Sequence, residues 1–247
     1  MSIYTKNYIR DNVKLFIVVA AYNEEEPIYK VIKDLQELTN HIIIVDDGSI
    51  DRTAQIAESA GCIVVSHPTN QGQGAAIRTG VTLAVKENAT YIATFDADGQ
   101  HDVNDLYQMV VLMMDSKKDV IIGSRFLGSA PGIPLKRVIL LKIGIIFTYF
   151  FSGVILTDVH NGLRLFTKEA ATKIDFSNNG MAHASVIIDS LIREKLNFVE
   201  FPVTITYTKY SKMKGQKLMD IIRIGVHIII VKSTTRLKKM IGIKGRV

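Results

Sequence analysis

The chain has 247 residues, of which 47% are hydrophobic, 22% charged and 8% aromatic, a composition that excludes disordered, collagen-like and disulfide-framework proteins and leaves one large domain, or one domain with a small appendage. A lone cysteine, Cys62, offers no internal disulfide, and Met1 to Asn12 carries no apolar signal region, so a reducing, cytosol-facing setting is expected. The formal charge of +6 is uneven: from Phe201 to Val247 eleven basic residues face the single acid Asp220, a net +10 that leaves −4 for the first 200 residues. Such an end suggests an anionic surface as partner.

In chain order, Leu15–Ala20, Ile42–Val45, Cys62–Val65, Tyr91–Phe95 and Asp119–Ile122 are short Val- and Ile-rich runs, expected as strands buried on both faces. Between them, 27–38, 51–60, 74–87 and 103–115 have the periodicity of amphipathic helices. This alternation predicts an α/β fold, a mostly parallel sheet with helices on both faces and ligands at the carboxyl ends of the strands. Val138–Leu156 is a mostly apolar segment of 19 residues with one charge, Lys142. By length it could just span a bilayer, whereas Ile221–Val231 could not.

The polar clusters fall where strands end. Asp96-Ala97-Asp98 follows the fourth strand, and paired carboxylates with Gln100 suit a hard divalent cation, Mg²⁺ or Mn²⁺, that shares its oxygens with a nucleotide diphosphate. Asp46-Asp47-Gly48-Ser49 closes the second strand; it offers acceptors to a base or ribose, or equally turn chemistry and a helix cap. Asn70 to Ala76 is glycine-rich, yet Ile77 stands at the third glycine position of the dinucleotide pattern and no Gly-Lys-Ser/Thr follows, which disfavours NAD enzymes and P-loop NTPases. His67, His101, His160 and His183 have no metal-ligand spacing and are expected in loops and at the surface, with His101 near the metal loop the exception. Cys62 is expected in a strand, and Met109, Met113 and Met114 as helix packing.

Ala21-Tyr22-Asn23-Glu24-Glu25, Val45-Asp46-Asp47-Gly48-Ser49, Asn70 to Ala76, Asp96 to His101, Gly123-Ser124-Arg125-Phe126 and Thr157-Asp158, in that order, resemble the family 2 glycosyltransferases of GT-A fold, and within them the dolichyl- and polyprenyl-phosphate sugar synthases. The resemblance covers residues 14 to about 212. It implies a GT-A domain over 1–212, to which the apolar run and the charge distribution add an interfacial helix at about 138–156 and a basic membrane-interface helix and tail over 213–247. It also implies nucleotide contacts from Ala21, Tyr22, Asn23, Glu24, Asp46, Asp47, Gln73, Asp96 and Ala97; metal ligation by Asp96, Asp98 and Gln100; and acceptor-phosphate contacts from Arg125, Arg137, Ser211 and Lys212. Asp158 and Arg125 are the catalytic expectation, with Arg164 matching the arginine that follows Asp158.

Departures are Ala20 in place of proline, His160-Asn161 before Gly162 in place of a small hydroxyl residue, and Leu163 in place of phenylalanine. The expected function is inverting transfer of a hexose from a nucleotide diphosphate sugar, GDP-mannose or UDP-glucose in type, to a polyprenyl phosphate at the cytoplasmic membrane face. A glycan hydroxyl acceptor is the first alternative and a non-catalytic nucleotide-sugar scaffold the second. Nucleic acid is disfavoured, because only Tyr207 and Tyr210 accompany the basic tail. Membrane contact is expected to be peripheral or through a membrane-protein partner, and the apolar run also admits a homodimer.

Overall fold

The computed structural model describes residues 3–176 and 183–207. The expected C-terminal helices and the basic tail lie outside them, as do Ser211 and Lys212. After helix α1 (Ile3–Asn12) the chain runs β1 (Leu15–Ala21), α2 (Ile28–Leu35), β2 (Ile42–Asp46), α3 (Thr53–Ser59), β3 (Ile63–Ser66), α4 (Gln73–Lys86), β4 (Tyr91–Asp96) and α5 (Val103–Asp115). It continues through β5 (Val120–Ser129), α6 (Leu135–Ser152), β6 (Arg164–Thr167), α7 (Lys168–Lys173), α8 (His183–Arg193) and β7 (Phe198–Thr204). One seven-stranded sheet has the order β3-β2-β1-β4-β6-β5-β7. Every pairing is parallel except those of β6, which runs antiparallel between β4 and β5.

Strand alternation divides the core in two. Leu15, Ile17, Val19, Ile42 and Ile44 point to one face, under α2 and α5, while Phe16, Val18, Ile43 and Val45 point to the other, under α4, α7 and α8. The close seat of α4 depends on Gly80, where a Cβ would stand 2.3 Å from Val18 Cγ1. β3 departs from expectation: it is an edge strand, exposed at both ends and only half-buried between them. Cys62 lies one residue before it, half-buried, and burial pushes its thiol up to about 11, so it stays protonated. Met109 and Met113 are core residues of α5, as expected.

The 138–156 segment is α6, shifted toward the N-terminus and ended by Gly153 in the left-handed conformation, whose N–H donates to the Tyr149 carbonyl at 2.8 Å. Among the described residues no helix is long and apolar enough to cross a membrane. Nor is α6 a core helix. One side, with Ile145 and buried Thr148, faces the protein, whereas Leu135, Ile139, Ile143, Ile146 and Phe150 recur at helical spacing on the other side and are 53–74% exposed.

Candidate active site

The chain leaves β1 for β2 and β3 on one side, then returns to β4 on the other, so the carboxyl ends of β1 and β4 flank the crevice where open α/β sheets bind ligands. Register sets the level of the carboxylates there. Ala21 pairs with Asp46 and Ala20 with Asp96, which sets the two acids one residue apart in register at the same end of three adjacent strands.

On the β2 side Asp47 organises the loop beside it. Its Oδ1 accepts from Gln71 N–H at 3.0 Å, its Oδ2 accepts from Gly72 N–H at 2.8 Å, and His67 Nδ1 lies 2.7 Å from Oδ1. The same ring reaches Thr79 Oγ1 on α4 through Nε2 at 3.0 Å. Gly48, at φ +76°, lets the turn pass so close that a Cβ would stand 2.7 Å from the Thr69 carbonyl carbon. Asp46 is buried, with Oδ1 accepting from Ser49 N–H at 3.3 Å. The Tyr22–Glu24 turn is pinned to this loop: Asn23 N–H donates to Ser49 Oγ at 2.9 Å, Asn23 Oδ1 accepts from Ile50 N–H at 2.9 Å, and Glu24 N–H donates to Thr53 Oγ1 at 2.8 Å. Asn23 takes a left-handed φ of 52°, and Tyr22 is exposed.

At the end of β4, Asp96 Oδ1 accepts from Gln73 Nε2 at 3.1 Å and Oδ2 lies 2.9 Å from His101 Nε2. The His101 ring is buried against Phe95, with Nδ1 lacking a hydrogen-bond partner. Asp98 accepts from Gln100 N–H at 3.1 Å, while Ala97 and Gln100 are buried beside it. Burial, then the charge of Asp96, pushes the Asp98 carboxyl up to about 6. This is a pocket with too much negative charge, and a divalent cation would relieve it. Among the described residues no group of three or more His, Cys, Asp or Glu gathers into a protein cage. Asp96 and Asp98 are the carboxylates here that could hold a hard cation, whose remaining ligands would be oxygens from outside the protein.

Arg125, Asp158, Glu200 and Tyr207 converge from β5, the loop before β6, β7 and the segment just after it. Arg125 Nε donates to Asp158 Oδ2 at 2.5 Å and Arg125 N–H to the same oxygen at 3.1 Å; Nη1 donates to Tyr207 Oη at 2.8 Å and Nη2 to the His160 carbonyl at 3.2 Å. Burial opposes the Arg125 charge, but Asp158 and Tyr207 outweigh it and hold its pKa above the usual guanidinium value. Glu200 of β7 accepts from Thr157 N–H at 2.9 Å and from Asp158 N–H at 3.1 Å, fixing the loop. Gly162 brings that loop against the end of β4: a Cβ there would stand 2.2 Å from Asp96 Oδ2. Arg164 is fully buried; its Nη2 donates to the Val159 carbonyl at 3.2 Å, and burial pushes it down to about 10 despite the nearby charges of Asp96 and Asp158. Arg137, in the first turn of α6, stacks 5.1 Å from the Tyr207 ring centroid.

The sequence profile of Glycosyl transferase family 2 matches residues 16–175. The chain belongs to that family. A UDP-N-acetylglucosamine–dolichyl-phosphate N-acetylglucosaminyltransferase of Methanococcus voltae is 30% identical over 241 residues, covering 88% of this chain and 96% of the relative. Polyprenol monophosphomannose synthase of Mycolicibacterium smegmatis is 27% identical, covering 86% and 85%. Glucosyl-3-phosphoglycerate synthase of Mycobacterium tuberculosis, crystallised with Mn²⁺, UDP and glucosyl-3-phosphoglycerate, matches with a TM-score of 0.70 at 17% identity over 99% of this chain and 86% of that one, which shows the GT-A fold.

Within this family 2 glycosyltransferase, several residues at the site carry no local sequence signal. His67 and His160 are not surface histidines. The first is clamped between Asp47 and Thr79, and the second has Nδ1 buried beneath α6, where a Cβ on Gly144 would stand 2.7 Å from its ring. Glu200 and Tyr207 arrive from β7, far along the chain from the residues they hold. Only the position of Tyr207 at the start of the basic tail singled it out.

Proposed function

We propose that this glycosyltransferase moves a hexose, with inversion, from a nucleotide diphosphate sugar to a polyprenyl phosphate at the cytoplasmic face of a membrane. The observation that carries the lipid part of the reading is the outward apolar face of α6, which begins beside Arg137 at the acceptor side and has no protein covering among the described residues. Lys136 and Lys142 lie on the same helix, as suits a helix resting in an anionic interface. The two relatives, both named for polyprenyl or dolichyl phosphate acceptors, support it.

On this reading the Tyr22–Glu24 turn, with Ala21, Asp46, Asp47 and Gln73, holds and shapes the nucleotide site, while Asp96, Asp98 and Gln100 hold Mg²⁺ or Mn²⁺ at the diphosphate. The cation, when bound, neutralises charge that develops on the leaving diphosphate. A lipid phosphate is already anionic, so the acceptor needs placement more than deprotonation. Asp158 is built for that role: Oδ2 is taken by Arg125, and Oδ1 accepts from His160 N–H at 3.2 Å. Ser211 and Lys212 belong with Arg125 and Arg137 around the acceptor phosphate. A glycan hydroxyl would instead require Asp158 as a base, and both of its oxygens are engaged.

The test is to incubate the purified protein and Mn²⁺ with a panel of nucleotide sugars and short polyprenyl phosphates. A lipid-linked sugar is expected. Product formed only with glycan acceptors would overturn the reading.

A further inference from the structure

The segment that leaves β7 joins parts of the site that lie far apart in sequence. Ile205 bridges to His101, and Thr206 N–H donates to the Gln100 carbonyl at 2.9 Å, so this segment is strapped to the loop that carries Asp98. The next residue, Tyr207, is buried; its hydroxyl accepts from Arg125 Nη1 at 2.8 Å, and its ring carries the guanidinium of Arg137 at 5.1 Å. The two arginines are not equivalent. Arg125 is 6% exposed and spends its nitrogens on Asp158, Tyr207 and the His160 carbonyl, whereas Arg137 is only half-buried and stacks on the ring.

We propose that Tyr207 is the positioning residue of the acceptor site: anchored by Arg125, its ring is the platform that presents Arg137 to the acceptor phosphate. This rests on the polyprenyl phosphate reading and sharpens it, since Arg125 becomes the support and Arg137 the contacting cation. A free arginine side chain must give up rotamer freedom to hold a phosphate, and stacking on a fixed ring removes much of that cost in advance. Because residues 205–207 are also hung on the Gln100–His101 backbone, the platform is set at a fixed distance from the metal loop, so the two substrates meet in one frame.

The experiment uses the full chain, a nucleotide sugar and a short polyprenyl phosphate, with separate KM values for donor and acceptor. Tyr207→Leu should raise the acceptor KM about tenfold and leave the donor KM within about twofold; Tyr207→Phe, which keeps the ring and loses the hydroxyl, should raise it less. If the ring acts through Arg137, adding Tyr207→Leu to Arg137→Ala should change little beyond Arg137→Ala alone. Where the leucine variant does not fold, the phenylalanine variant goes through the same cycle. Independent, multiplicative losses, or a donor KM that moves with the acceptor KM, overturn the proposal while lipid-phosphate transfer by the wild type stands. A wild type that turns over glycan acceptors but no polyprenyl phosphate overturns the functional reading first, and this one with it.

Discussion

Asp98 and His160 are two residues whose environments shift them well away from ordinary behaviour. For Asp98, burial and the neighbouring charge of Asp96 disfavour the ionised carboxylate unless a cation is present. Asp98→Ala should therefore abolish divalent-dependent nucleotide binding and lower turnover by at least ~10²-fold, the scale of losing a main charge-stabilising group. Wild-type turnover in the variant, or full activity of the wild type in excess chelator, would refute the assignment. His160 is pushed down to about 4, first by burial and then by the charges of Arg164 and Arg125, with Asp158 opposing. Its folded pKa lies below the unfolded value of ~6.5, so the unfolded chain takes up the proton first as pH falls. Its contribution is complete above about pH 6.5 and disappears toward pH 4, with an upper bound of roughly 3 kcal/mol from the size of the shift. Urea midpoints at pH 7.5 and pH 5 should differ more for the wild type than for His160→Gln.

At the scale of elements, the loop from Thr157 to Leu163 is squeezed between β4 and α6, and glycine at two positions makes this possible. Gly162→Ala would drive a methyl group into the Asp96 carboxylate, fixed backbone against a side chain already held by Gln73 and His101. We expect a large fall in kcat with a loss of stability of about 1–3 kcal/mol, the usual scale of overpacking, read by kinetics and thermal melts on the same preparation. An active, unshifted variant would mean that the loop stands away from Asp96 in solution. How far these elements were legible in sequence varies for physical reasons. Leu15–Ala21 and Val103–Asp115 announce themselves, since a strand buried on both faces reads as an unbroken apolar run and a one-sided helix imprints a period on the chain. β6 does not: four residues, Arg164–Thr167, carry no record of strand direction, so its antiparallel insertion came only from pairing. The carboxylates were legible because strand ends are marked by polar clusters. Their partners His67, Glu200 and Tyr207 were not, because they are near the site only in space.

For the whole molecule the distribution of charge and apolar surface predicts behaviour at a bilayer. The outward stripe of α6 supplies area to bury, and the net +10 beyond Phe201 supplies attraction, about 1 kcal/mol for each basic residue near an anionic surface. Liposome flotation should need anionic lipid, weaken as salt shortens the Debye length from ~10 to ~3 Å, and drop when 232–247 is deleted. Ile139→Glu with Ile146→Glu should abolish flotation and leave donor binding unchanged. Binding that ignores salt and yields only to detergent would instead indicate insertion, and no binding would leave the stripe to an oligomer contact, read by sedimentation.

The inverted strand β6 also governs the order in which the site can come into being. β2 pairs with β1 and β3 through short helical crossovers, and β4 closes on β1 with Tyr91 beside Leu15, so Asp46 and Asp96 can be set in place by residues 15–96. The other half waits: β5 pairs with β7 between Val120 and Phe198, and β6 closes the gap beside β4 only after the chain has passed through α6. During synthesis, then, Asp46 and Asp96 can be set before Arg125 and Asp158 gain Glu200 and Tyr207 as partners, and on unfolding the half that ends at the edge strand β7 should open first. Amide exchange should show this as faster opening at 120–129 and 198–204 than at 15–21 and 91–96.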